Sequence, residues 1–191
     1  QHIYLHDDRY IEDLADNVLR LGITGADALS ISDDNRIIKA ARLLQTYSGT
    51  TQGAYIRLEK RIPNRDYRMD LLRSVHYEAK RAGLDPQLVL GLMQVESGFR
   101  KYAVSSAGAR GYMQVMPFWV KLIGRQDDSL FDLRTNLRYG CTILRHYLDI
   151  EKGDLYRALG RYNGSLGKPE YPNMVRAAWQ NQWSYIKPPA K

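Results

Sequence analysis

Apolar residues recur at spacings of three and four along nearly the whole 191-residue chain, and strand-like alternation is scarce. Stripes of that kind are buried by packing helix on helix, so the expected fold class is all-α. The segment 8–22 places Ile11, Leu14, Ala15, Val18 and Leu19 on one face and stops at Gly22. A second stripe runs from a cap at Ser32 or Asp33 to Gly49, and a third covers Thr51 to Arg61 ahead of Pro63. No chemistry is legible in these segments. Residues 1–64 are therefore read as a small helical N-terminal extension, and residues 65–191 as the main domain.

From Asn64 a longer pattern sets Met69, Leu72, Val75, His76 and Ala79 on one stripe and ends at Gly83. His76 on such a stripe is expected to be a hydrogen-bonded core histidine. Asp85-Pro86 then opens a new helix, with Asp as N-cap and Pro at the first helical position. This helix is apolar through Leu88, Val89, Leu92, Met93 and Val95, yet Glu96 stands in its last turn just before Gly98.

The position of Glu96 has consequences for its ionisation. A carboxylate at a helix C-terminus meets the negative end of the helix dipole, and apolar neighbours remove water from it. Both effects raise the pKa, as a general acid working at neutral pH requires. An exposed Glu that happens to end a helix is the ordinary alternative, and the following segment, GFRKYAVSSAGARGYMQVMPFW, weighs against it. That stretch reads as a loop. It combines turn-permitting glycines with hydroxyl and amide groups (Ser105, Ser106, Gln114) and apolar surface (Tyr112, Met116, Phe118, Trp119). Hydrogen-bonding groups beside flat apolar faces are what a sugar site needs.

Charge and cysteine content narrow the classes further. Lys and Arg total 28 against 21 Asp and Glu, a net +7 that attracts polyanions. The charge is spread along the chain, with KRIPNRDYR its densest stretch, and no Gly-rich phosphate loop or recognition helix accompanies it, so no nucleic-acid partner is expected. Cys141 is alone, which excludes an intramolecular disulfide, and its helix-like surroundings make it a buried small hydrophobe. No His, Cys or carboxylate set stands at metal-ligand spacing, so no metal and no cofactor are expected. No apolar run approaches the roughly 18 residues needed to cross a bilayer, and no signal peptide is visible.

The order of motifs resembles the soluble lytic transglycosylase (SLT) domain, a goose-lysozyme-like family. The family's Glu-Ser pair looks like Glu96-Ser97, and its downstream serine aligns with Ser105. Its Gly-Leu-Met-Gln-x-x-Pro segment is similar to Gly111–Pro117, with Tyr112 in place of Leu. LFDLRTNLRYG resembles another family segment, and ALGRYNGS resembles its Ala-x-x-x-Tyr-Asn-x-Gly motif, with Gly164 and Ser165 replacing the usual small residue and Gly. Tyr171 followed by Val175 looks like the family's closing pair. The resemblance covers about residues 65–185.

That resemblance implies a lysozyme-like helical fold and a lytic transglycosylase acting on the glycan strands of peptidoglycan. Glu96 would be the single catalytic acid and base. Most glycosidases use two carboxyl groups, but no second carboxylate near the motifs has an apolar setting like that of Glu96; Glu170, beside Pro169, reads as a loop residue. Ser105, Gln114 and Asn163 would hold sugar polar groups, Met116 would pack on a sugar face, and Tyr162 and Tyr171 would line the cleft with one hydroxyl near Glu96. The substrate places the protein in the periplasm, or facing it from an outer-membrane anchor, with cell-wall or secretion machinery as further partners. Alternatives are a lysozyme-type hydrolase of the same bond and a non-catalytic wall-binding module.

Overall fold

The computed structural model describes residues 53–184, and the helices predicted over 8–22 and 32–49 lie outside them. By its contacts the chain divides into two compact units, 1–57 with 185–191 and 58–184, and the second holds every candidate site residue. Residues 53–58 are helical. The expected continuation to Arg61 does not form: Arg61 N and Ile62 N both donate to Leu58 O (2.9 and 2.8 Å), closing a tight turn. Pro63 bars Ile62 from helical geometry, so the chain turns early.

The all-α expectation holds across the described residues. Helices α1 (Arg65–Arg81), α2 (Pro86–Ser97), α3 (Phe118–Ile123), α4 (Leu133–Ile150), α5 (Leu155–Tyr162) and α6 (Glu170–Ala178) follow one another, and a π-helical turn at Trp179–Trp183 extends α6. Asn64, Asp85, Asp132 and Asp154 cap four of these helices through side-chain oxygens that accept a backbone N–H. Two isolated bridges, Val104–Arg110 and Arg110–Val115, pin the loop between α2 and α3.

Helix α2 is the centre of the unit. Leu88 to Met93 are buried without a break, so α2 is apolar all round and covered by α1, α6 and the π-helical turn. Gly91 lets that turn approach: a Cβ there would stand 2.9 Å from Trp179 N. Helix α1 packs on both α2 and α4, and its buried face is wider than the predicted stripe. It includes Arg68, Leu71, Ser74 and Glu78, while Met69 and His76 are only half-buried. His76 is therefore not the core histidine the stripe suggested. Glu78, 1% exposed, pairs with Arg81 Nε of its own helix (2.6 Å) and joins α1 to α4 through Arg138 Nη2 (3.1 Å). Burial pushes the Cys141 thiol up, as suits a small core hydrophobe.

The loop after α2 is anchored from below by Asn136 of α4, which is fully buried. Its Oδ1 accepts from Met113 N (2.8 Å), and its Nδ2 donates to Arg110 O (2.9 Å) and Leu130 O (2.8 Å). Gly111, at φ +75°, lies so close that a Cβ would meet both Asn136 Nδ2 and Leu130 O at 2.5 Å. Gly108 shares the left-handed conformation (φ +88°) but faces open space. Gly108→Ala is expected to cost only backbone strain, about 1 kcal/mol. Gly111→Ala adds overpacking against a fixed anchor, for a total of about 3 kcal/mol. Paired thermal melts check this: Gly111→Ala should lower Tm by roughly 6–12 °C, clearly more than Gly108→Ala.

Candidate active site

Glu96 occupies the last turn of α2, as the sequence indicated, and Gly98 ends the helix in the left-handed conformation (φ 60°). The carboxyl group is mostly buried, with Tyr171 of α6 donating a hydrogen bond from its hydroxyl to Glu96 Oε1. Burial raises the Glu96 pKa from 4.5 to about 7, against the smaller lowering effect of the Tyr171 bond. No neighbouring carboxylate contributes to the shift. Desolvation, and then the Glu96 charge, push the Tyr162 and Tyr171 hydroxyls well above their ordinary value, so both stay neutral donors wherever Glu96 titrates. With Oε1 accepting from Tyr171, a proton on Glu96 belongs on Oε2.

The other acidic groups are engaged elsewhere. Asp128 accepts from Tyr139 (2.5 Å), Glu151 pairs with Arg157 and Arg161, and Asp149 pairs with Arg145 (2.6 Å). Glu170 is the first residue of α6, not part of a loop; its charge suits the positive end of that helix. Among the described residues no group of three or more His, Cys, Asp or Glu could hold a metal ion.

The structure brings together some of the sequence-predicted residues and turns others inward. Tyr171 touches Glu96 directly. Tyr162 is close enough for the Glu96 charge to act on it, but its hydroxyl donates to Met113 O (2.7 Å), so it fastens the loop. Ser105 Oγ accepts from Ala109 N (3.0 Å), closing its own turn. Gln114, at φ +50°, donates from Nε2 to Ala103 O (3.1 Å) and Gly111 O (2.9 Å), and among the described residues nothing donates to its carbonyl oxygen. Met116 is half-buried at the end of the loop. Asn163 ends α5, exposed, and donates to Ser165 Oγ (2.9 Å). Tyr112 is 1% exposed and so is unavailable to a sugar; Phe118 and Trp119 begin α3, outside the loop that sequence assigned them.

Sequence reasoning left Ser97 without a role. It is 2% exposed, and its Oγ donates to Met93 O (3.2 Å) and Tyr112 O (2.8 Å), tying the helix end beside Glu96 to the loop. Tyr112 in turn meets Tyr67 of α1, hydroxyl to hydroxyl at 2.5 Å, which accounts for a tyrosine where the resembling family has leucine. A polar residue on the buried side of an apolar helix was the available signal for Ser97. None marked Tyr67.

The family model described as the transglycosylase SLT domain matches residues 73–178. The chain belongs to that family. All the elements around Glu96, from α2 through Tyr171, fall inside the matched SLT region. The membrane-bound lytic murein transglycosylase C of Actinobacillus pleuropneumoniae is 62% identical over 85 residues, which are 44% of this chain and 22% of that protein. The transglycosylase of Enterobacteria phage PRD1 is 36% identical over 88 residues, 46% of this chain and 32% of that one. This SLT chain thus spans less than a third of either relative. Among solved structures, an inactive mutant of the lytic transglycosylase Slt from Pseudomonas aeruginosa is similar with a TM-score of 0.48 at 19% identity, over 95% of this chain and 29% of that one.

Two outcomes follow from the ionisation of Glu96. The folded protein holds the proton up to about pH 7, whereas the unfolded chain releases it near 4.5. Stability from this group is therefore full below pH 4.5 and falls as pH rises to 7. Glu96→Gln removes that dependence. It should match the parent protein at pH 4 and exceed it by up to about 3 kcal/mol at pH 8, read from urea unfolding at the two pH values. Tyr171→Phe removes the bond that favours the carboxylate, so it should move the Glu96 titration, followed by carboxyl NMR, to higher pH.

Proposed function

We propose that this SLT chain is a peptidoglycan lytic transglycosylase in which Glu96 is both acid and base. The observation that carries the reading is a carboxyl group titrating near pH 7 with a neutral tyrosine on one oxygen and no second carboxylate coupled to it. A group poised there is protonated often enough to act as an acid and ionised easily enough to act as a base afterwards. The names of the relatives, lytic murein transglycosylase and transglycosylase, support the same substrate and bond.

The reaction runs in two proton transfers. Glu96 donates its proton to the glycosidic oxygen between N-acetylmuramic acid and N-acetylglucosamine as the C1–O bond breaks. Positive charge develops at the muramyl C1 and is supported by the neighbouring 2-acetamido oxygen, a substrate-assisted route that needs no enzyme nucleophile. The Glu96 carboxylate then takes the proton of the muramyl 6-hydroxyl, whose oxygen bonds to C1. A 1,6-anhydromuramyl end is released, Glu96 is again protonated, and no water is consumed. Tyr171 stabilises the carboxylate between the two steps. Gln114, Met116, Asn163 and Ser105 are proposed to border the bound sugars.

A peptidoglycan substrate would put the protein in the cell envelope, which the name of the membrane-bound relative also supports, and the proposed location within it faces the periplasm. Among the described residues no helix is long and apolar enough to cross a membrane. Cell-wall or secretion machinery is proposed as a further partner, and residues 1–64 as an extension of the catalytic domain.

Mass spectrometry of the soluble fragments from purified sacculi tests the reading. The protein should release anhydromuramyl products, 18 Da (one water) lighter than hydrolytic ones, and Glu96→Gln should release none while keeping its fold. Reducing-end products would instead assign a lysozyme-type hydrolase with the same acid. Retained cleavage by Glu96→Gln would remove Glu96 from the mechanism.

A further inference from the structure

Six arginines on the helices of the unit are held by carboxylates. Arg81 and Arg138 share Glu78, Arg134 meets Asp70 (3.2 Å), Arg145 meets Asp149, and Arg157 and Arg161 share Glu151. The loop that follows the Glu96 helix is different. Among the described residues, neither Lys101 nor Arg110 has a carboxylate within ion-pair distance. Each lies instead against an aromatic ring. Lys101 Nζ stands 5.3 Å from the centroid of the Tyr102 ring, and Arg110 Cζ stands 5.8 Å from that of Phe131. The two rings are neighbours, with centroids 5.8 Å apart and planes tilted by 49°. The four side chains form one ladder: cation, ring, ring, cation.

The ladder stands on fixed backbone, with Tyr102 and Arg110 exposed and Lys101 and Phe131 half-buried. Tyr102 is 71% exposed, an unusual state for so large a side chain, and Arg110 is exposed as well. Arg110 belongs to both isolated bridges, and its carbonyl accepts from buried Asn136. Ala103, next to Tyr102, accepts from Gly111 N (2.9 Å) and Gln114 Nε2 (3.1 Å). The Lys101 charge acts on Asp132, but that carboxylate is engaged in capping α4 at Thr135 N (2.9 Å). A cation resting on a ring loses little water and keeps its N–H groups free, which suits it to take a carboxylate from outside. Two such cations separated by two rings would grip an extended chain with repeated acidic groups.

We propose that the Lys101–Tyr102–Phe131–Arg110 ladder binds the carboxylates of the peptide stems carried by the glycan strand. The inference rests on the reading of peptidoglycan as substrate. Glycan with its muramyl carboxyl groups joined to peptide is uncharged along the sugar backbone, so the stems carry the negative charge that a basic protein can recognise. The rings supply apolar contact to the stem side chains between the charged groups.

The test compares two preparations of one soluble strand: stems with free carboxylates, and stems amidated with ammonia and a carbodiimide. KM and kcat are measured on both for the parent protein, Lys101→Gln/Arg110→Gln, each single variant, and Lys121→Gln as a charge control on α3. The parent should show a KM about tenfold higher on the amidated strand with kcat unchanged, as expected of two surface charge contacts. The double variant should lose most of that difference, each single variant part of it, and Lys121→Gln none. Circular dichroism melts confirm that the variants are folded. Equal KM on the two strands for the parent, or a preference retained in the double variant, overturns the proposal. Should the parent cleave neither strand, the transglycosylase reading falls by itself, and calorimetric Kd values for the same two strands decide the ladder. A preference for free carboxylates that vanishes in the double variant upholds it, and equal affinities overturn it.

Discussion

The residues Tyr112 and Met113 are held from four helices at once, three of them gripping the backbone, and the geometry around Glu96 depends on that hold. Ser97 of α2 donates to Tyr112 O, Tyr162 of α5 donates to Met113 O, Asn136 of α4 accepts from Met113 N, and Tyr67 of α1 meets the Tyr112 hydroxyl. Most of these groups are buried, where leaving one donor or acceptor unsatisfied costs about 1–3 kcal/mol. A loop of glycines and small polar residues has little apolar surface with which to fix itself. Here the surrounding helices fix it with directional bonds, which set the loop's position as well as its stability. Ser97 and Glu96 are consecutive, so the bond that fastens the loop also fastens the end of the helix that presents the acid.

The acid has the opposite relation to stability. Helix α2 is buried on all sides, and Glu96 interrupts it with a carboxyl group that lacks a cationic partner. The fold tolerates this because the group stays protonated up to about neutral pH, with Tyr171 as its one side-chain partner. Perturbed ionisation of this sort is a recurring mark of functional sites. Elsewhere in the unit buried charge is handled conventionally: Glu78, buried more deeply than Glu96, has two guanidinium partners. The contrast between Glu78 and Glu96 separates a carboxylate that builds the fold from one the fold keeps available.

Local features of the sequence were legible because their causes are local. The Asp85-Pro86 start, the Gly98 stop and the placement of Glu96 between them follow from capping and periodicity, and all three stand in the structure. Features that depend on distant partners were not. Nothing near Ser105 or Gln114 shows that their side chains bond inward to Ala109, Ala103 and Gly111, and nothing near Tyr112 shows that Tyr67 waits for its hydroxyl. The stripe on α1 was drawn too narrow because a helix packed between two others buries more than one face, taking Arg68, Ser74 and Glu78 inside. Tyr171 lies 75 residues from Glu96, and motif order alone suggested their meeting, which the hydroxyl contact now makes concrete.

The charge of the chain and the state of Glu96 bear on each other. A wall strand with acidic stems is a polyanion, drawn to a protein of net charge +7 and, on the proposed reading, to the unpaired cations of the loop beside Glu96. An ionised carboxylate at the centre of such a site would repel that strand at the point where it must come closest. Burial therefore does two things for Glu96 at neutral pH. On the proposed reading it keeps the proton that the first step needs, and it removes much of the negative charge from the path of an anionic substrate. The charge appears only after the glycosidic oxygen has taken the proton, when positive charge at the muramyl C1 is adjacent to compensate it. The same desolvation that burdens the folded protein would thus, on the proposed reading, order the electrostatics of the reaction, with attraction first and acid-base chemistry second.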